Sequence, residues 1–305
     1  MPWPAHLSTP VPETMHDILI IAREDLRQTF RSTKAVLLLG IYALLSLLTG
    51  ALVILISRTA AVQIETATEG VELPPELAGA GSRELQEEIT RQVLEVFVDD
   101  PALASYLAGI PLVILFFFWA NRTFLPWLAA LIGFDALGRD IESGTVRYLT
   151  LRTRRSSLVL GRFFANAILL GLLTAATHLL IFGFGILWID EFPGMSAAGQ
   201  LFRFWLLVLP VGTAWLAFML LVSALVRPYP ALLVGIVALL GTVMAGWLTN
   251  FWGAIEPLRW MLPRVYGGYL LSPNVQEQLI GVGVFTLATV VFVIAALLTL
   301  ERRDV

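Results

Sequence analysis

Residues 136–164 read ALGRDIESGTVRYLTLRTRRSSLVLGRFF, a concentration of charge in a chain that is 57% hydrophobic and only 14% charged. Within this stretch Arg139, Asp140, Glu142, Arg147, Arg152, Arg154 and Arg155 surround a Ser143-Gly144-Thr145 break. Such side chains offer charge-assisted hydrogen bonds to a partner, and Gly144 permits a sharp chain reversal. The chemistry on offer is recognition. A helix leaving an apolar run, broken at glycine and followed by a basic stretch, makes a compact protrusion that a soluble partner can grip.

Little else in the chain could do chemistry. There is no cysteine, which removes disulfides, thiolate metal sites and cysteine nucleophiles together. His6, His16 and His178 are far apart, no H-E-x-x-H run exists, and only His178 lies in an apolar run. No acidic residue shares that run for a relay, so a packed or interhelical hydrogen-bonding role is expected of His178, with no catalytic residue and no metal site. A phosphate-binding loop needs a lysine to reach the phosphates. The only lysine is Lys34, in Arg31-Ser32-Thr33-Lys34, outside any such pattern. Arg122, next to Asn121 in Phe118-Trp119-Ala120-Asn121-Arg122-Thr123-Phe124, is the one charge well inside an apolar run. Arginine near a bilayer centre costs about 2.5–3.5 kcal/mol on insertion scales, so Arg122 should face a polar cavity or a subunit interface, or else snorkel from a long, tilted span.

The elements that must position these residues are membrane helices. Runs free of Asp, Glu, Lys and Arg cover residues 36–56, 101–121 (continuing past Arg122 to 134), 163–189, 204–226, 228–255 and 278–300. Each reaches the roughly 20 residues that a helix needs to cross the hydrocarbon. Strand alternation is absent, and backbone satisfaction in lipid then leaves only helices. The expected fold is an all-α polytopic membrane protein of six spans, a single domain over residues 1–305. The amino terminus lacks the apolar core and cleavage site of a secretory signal. Residues 13–34 instead place Met15, Ile18, Ala22, Leu26 and Phe30 at helical spacing opposite Arg23, Arg27 and Arg31, which reads as an amphipathic helix on the membrane surface.

Lys and Arg in short loops are retained on the cytoplasmic side. With the amino terminus inside, thirteen basic residues fall inside and six outside, with Arg122 within the membrane, so both termini and the opening stretch are expected to be cytoplasmic. The 58–100 segment, rich in Glu and Asp, is then an exterior loop, in which Leu85, Ile89, Val93, Val96 and Phe97 predict an amphipathic helix. Residues 253–278 are too apolar for a free loop and too broken by Pro and Gly for a full span. They read as short exterior helices dipping into the outer headgroups, with Trp260, Tyr266 and Tyr269 at the interface, or alternatively as a re-entrant loop.

The run Arg139-Asp140-Ile141-Glu142-Ser143-Gly144-Thr145, the Arg-rich turn after it and Leu160-Gly161-Arg162-Phe163 together resemble the hallmark of ABC-2 type permeases between their second and third spans. The six spans, inside termini and exterior helices before the last span are similar as well, so the resemblance covers almost the whole chain. Two features depart from it: the basic turn reads Thr150-Leu151-Arg152-Thr153 where many members carry proline, and the long acidic loop is not general. The resemblance implies that residues 135–157 form a cytoplasmic coupling element, with Arg139, Asp140, Glu142, Gly144, Thr145, Arg154 and Arg155 at the contact with a separate ATPase subunit. It further implies a non-catalytic permease of an exporter in a prokaryotic inner membrane, working with a second permease copy, identical or paralogous. ATP and Mg would be bound by the ATPase and no cofactor by this chain. Membrane lipids are expected partners; nucleic acid is not. The alternative within the family is a permease that passes mechanical work to an exterior protein, such as a metallochaperone, docked on the acidic loop. An ion-coupled transporter or channel would want carboxylates in its spans, and the six runs contain none.

Overall fold

The computed structural model describes residues 14–68, 91, 101–151, 153–189, 192–249, 257 and 260–303. Its elements in chain order are α1 (Thr14–Arg31), α2 (Thr33–Thr68), α3 (Pro101–Ala108), α4 (Leu112–Gly133), α5 (Gly138–Glu142), α6 (Thr145–Thr150), α7 (Arg155–Trp188), α8 (Gly194–Leu225), α9 (Pro228–Leu248), α10 (Pro263–Tyr269) and α11 (Val275–Arg302). All are helical, as a chain that must satisfy its backbone in lipid requires. Five helices are long and apolar enough to cross a membrane: those of α4, α7, α8, α9 and α11. A sixth candidate is a bent pair, Met15–Arg31 with Val36–Leu52, whose halves meet at 72°.

Local chemistry accounts for most boundaries. Proline opens α9 and α10, where its missing N–H costs nothing, and Asn274 caps α11 by accepting from the Gln276 N–H at 2.9 Å. The apolar run from residue 101 to 134 is not one span, as the sequence had suggested. It breaks at 109–111, leaving the short α3 before α4. Pro111 stands in extended backbone (φ −51°, ψ 127°) as the cap of α4, has no N–H to continue a helix from α3, and disfavours helical geometry at Ile110.

Helix α8 is the central element, packed against α11, α4, α7 and α9. Its Phe204, Val208, Leu216 and Leu220 lie in a continuous core with Phe117, Phe118 and Leu125 of α4 and Leu169 and Leu170 of α7. Helix α1 lies along α7. Of the stripe expected from the sequence, Ile18, Ala22 and Leu26 turn toward the bundle together with Ile21 and Asp25, while Met15 and Phe30 are exposed. This face meets α7 at Gly161. A Cβ there would meet Ile21 Cγ2 at 2.6 Å and the Ile18 carbonyl at 3.2 Å, so the two helices approach closely only because residue 161 is glycine. The amphipathic helix expected within residues 58–100 lies outside the described residues, apart from Arg91; α2 itself runs on to Thr68, into the segment expected as loop. Of the 253–278 segment, α10 is described, and it packs on α11.

Candidate functional site

Between α4 and α7 the chain makes a small two-helix protrusion. Helix α5 ends where Ser143 N–H and Gly144 N–H donate to the Arg139 and Ile141 carbonyls at 3.0 and 3.2 Å. Gly144 then takes left-handed backbone (φ 71°, ψ 5°), and α6 begins. No atom lies within 4 Å of a Cβ built at Gly144, so backbone geometry, not space, requires glycine. The protrusion is anchored by fully buried Leu137 and Val146, and by Gly138, where a Cβ would come 3.2 Å from the Ser223 carbonyl of α8. Its outer surface carries exposed Arg139, Glu142, Thr145, Arg147 and Arg154. Tyr148 and Leu151 are 75% and 82% exposed among them. The sequence reading passed over these two, although a tyrosine and a leucine in so basic a turn were the available signal.

The predicted contact residues separate into two groups. Glu142 and Arg154 are exposed, and neither forms an ion pair among the described residues. Asp140 and Arg155 are instead engaged within the chain. Arg162, at the start of α7, donates through Nη2 to Asp140 Oδ2 at 2.6 Å and through Nη1 to Asp25 of α1. One guanidinium thus joins the surface-facing α1, the protrusion and α7, and the adjacent Gly161 brings α1 near enough. A second cluster lies beside it. Lys34, at the start of α2, donates to Asp135 Oδ1 at 2.5 Å and to the Ile132 carbonyl at 3.2 Å, while Arg139 reaches Asp135 Oδ2 at 3.1 Å. The single lysine is therefore a tie between α2 and the end of α4. Arg155 donates to the carbonyls of Leu300, Glu301 and Arg303 at 2.9, 2.9 and 3.1 Å, capping α11, and Arg303 donates to the Ala224 carbonyl at the end of α8. Cations at helix C-termini satisfy free carbonyls and the helix dipole together. Spacing along the chain gave no signal for these joins except Gly161-Arg162, since Asp25 and Asp140 are 137 and 22 residues from Arg162.

Within the spans, Asn121 is buried and accepts from the Tyr42 hydroxyl of α2, while its amide donates to the Phe117 carbonyl at 3.1 Å. Ser46 and Thr49 line a small cavity beside this pair. His178 is buried on α7 with Nδ1 donating to the Thr174 carbonyl at 2.7 Å and its ring edge-on to Phe117, 4.7 Å between centroids. Its Nε2 has no partner among the described residues. Arg122 is half-buried on α4 against Gly267 of α10, where a Cβ would stand 3.2 Å from Arg122 Cδ. Among the described residues no group of three His, Asp or Glu side chains is arranged to hold a metal ion.

A bundle of apolar helices with a polar hairpin at one end describes a membrane-spanning protein. The family model for ABC-2 family transporter protein matches residues 19–305, and the chain belongs to that family. It is a membrane permease of the ABC-2 transporter type. A search of curated proteins finds no match to it.

Proposed function

We propose that this permease is the membrane half of an exporter, driven by a separate ATPase that grips the α5–α6 protrusion from the cytoplasm. The observation that carries this reading is the division of labour in the protrusion. Its outer face presents Glu142, Arg147, Tyr148, Leu151 and Arg154, while its base is fastened through Asp140 to Arg162 and so to α1 and α7. A push on the outer face is passed to the start of two helices because the ion pairs at the base leave the hairpin little freedom to move alone. Two such chains, each with an ATPase bearing ATP and Mg, would surround a pathway between them in a prokaryotic inner membrane. Helix α1 would lie on the cytoplasmic surface with Met15, Leu19 and Ile20 toward lipid, since these are exposed on the face away from α7.

The test is co-purification of the ATPase with Glu142→Ala, Tyr148→Ala and Leu151→Ala variants at matched membrane levels. Truncating an anchor side chain at such a contact costs about 2 kcal/mol or more. ATPase recovery should fall while the permease remains inserted. Undiminished recovery and transport-linked hydrolysis in all three would exclude the protrusion as the contact.

A further inference from the structure

Arg122 does not stand alone. Helix α10 sets Arg264 and Gly267 three residues apart, on one face, and that face meets the interior of α4 and the end of α9. Arg122 lies over Gly267, and Arg264 lies against Gly246 of α9, where a Cβ would be 3.4 Å from Arg264 Cδ and 3.6 Å from its Nη1. Cβ positions at this helical spacing are about 5–6 Å apart, so Arg264 lies one helical turn from the point where Arg122 crosses α10, near enough for the two like charges to oppose each other. Neither makes an ion pair or a hydrogen bond to any side chain or carbonyl among the described residues. Arg122 is half-buried on α4, where a charge is expensive unless a counter-charge meets it. Gly267 and Gly246 leave room for the stems of Arg122 and Arg264 to lie against the helix backbones.

We propose that Arg122 and Arg264 form a site for a phosphate-type anion between α4, α9 and α10: the headgroup phosphate of a phospholipid, or a free phosphorylated solute. A phosphate oxyanion removes the repulsion and accepts from both planar forks at once, which a carboxylate fits less completely and an ammonium partner could not do. The site lies at the end of the bundle opposite the protrusion and does not depend on how the ATPase is engaged.

The experiment uses the full-length chain and reads its melting temperature and apparent anion affinity. One arm adds phosphatidylglycerol back to delipidated chain in a non-ionic detergent, with phosphate-free diacylglycerol as the comparison; the other titrates inorganic phosphate into the same delipidated chain. A rise in the first arm alone identifies a lipid headgroup, and a rise in the second a free anion. In Arg122→Gln and Arg264→Gln the apparent affinity should fall by about tenfold or more, the loss expected for hydrogen bonds to a charged group. The double variant should bind the anion no better than either single variant, because both forks hold one ligand. Arg203→Gln, which removes a contact to Tyr106 at the same end of the bundle, should keep the full effect. If Arg122→Gln fails to fold, Arg264→Gln on the short α10 decides the matter. No stabilisation from either probe, or stabilisation equal in all variants, overturns the site.

Discussion

Arg162 holds two carboxylates that belong to different helices, and its side chain is only 19% exposed. Removing it leaves Asp25 and Asp140 as uncompensated, largely buried charges, a change that typically costs about 3–5 kcal/mol. Arg162→Ala is therefore expected to lower the melting temperature of the detergent-solubilised permease sharply, whereas exposed Arg23→Ala on the same α1 should leave it unchanged; equal melting of the two variants would remove Arg162 as the junction. Gly144 makes a different demand. Left-handed backbone costs other residues about 1–2 kcal/mol, less for asparagine and most for β-branched side chains. Gly144→Asn should retain ATPase binding better than Gly144→Val, with both variants inserted normally. The reverse order would show that the left-handed turn is not what the contact needs.

The elements meet where a small residue or a long cation allows them to. Helix α1 sits on α7 through Gly161, and a methyl group there collides with Ile21. Gly161→Ala should accordingly loosen α1, seen as faster labelling of a cysteine placed at Ile18, and Ile21→Gly should restore part of the protection by removing both the Cγ2 and the Cβ that stand 2.6 and 2.8 Å from the added methyl. Absence of that rescue would mean that the helices are held by something other than this close approach. Helix α11 is finished by Arg155, whose guanidinium accounts for three of its last carbonyls. Loss of a cap costs about 1 kcal/mol, felt locally, so Arg155→Ala should expose the carboxyl-terminal tail to protease without lowering ATPase recovery. If recovery falls as far as it does for Glu142→Ala, Arg155 belongs to the contact surface after all.

At the scale of the whole molecule, α7 separates its two ends by 34 residues, about 50 Å of helix, with Tyr148 before one end and Met195 after the other. Both are exposed, at 75% and 90%. From the charge asymmetry, the first is expected to face the cytoplasm. In this cysteine-free chain, Met195→Cys should therefore react with an impermeant maleimide in intact cells and Tyr148→Cys only after lysis. Labelling of position 148 in intact cells would invert the molecule and remove the protrusion from any cytoplasmic ATPase.

Composition and apolar run length sufficed for a helical membrane bundle, because bilayer thickness and backbone satisfaction act on any chain of this kind, whatever its partners. The glycine break at residue 144 was legible for a similar reason: left-handed geometry is a property of one residue and its neighbours. The same local logic failed at Pro111, where the uninterrupted apolar run concealed a break that the proline itself could have announced. Tertiary structure alone decided which charges are spent inside the chain. Asp140 and Glu142 are two residues apart and of like charge, yet one is paired to Arg162 and the other faces outward, because only Asp140 is carried to where α1 and α7 converge. Lys34 with Asp135, Arg155 with the end of α11 and Arg122 beside Arg264 are likewise meetings of residues about 100 or more positions apart. No periodicity along a chain encodes such meetings, since they depend on how close the packed helices come.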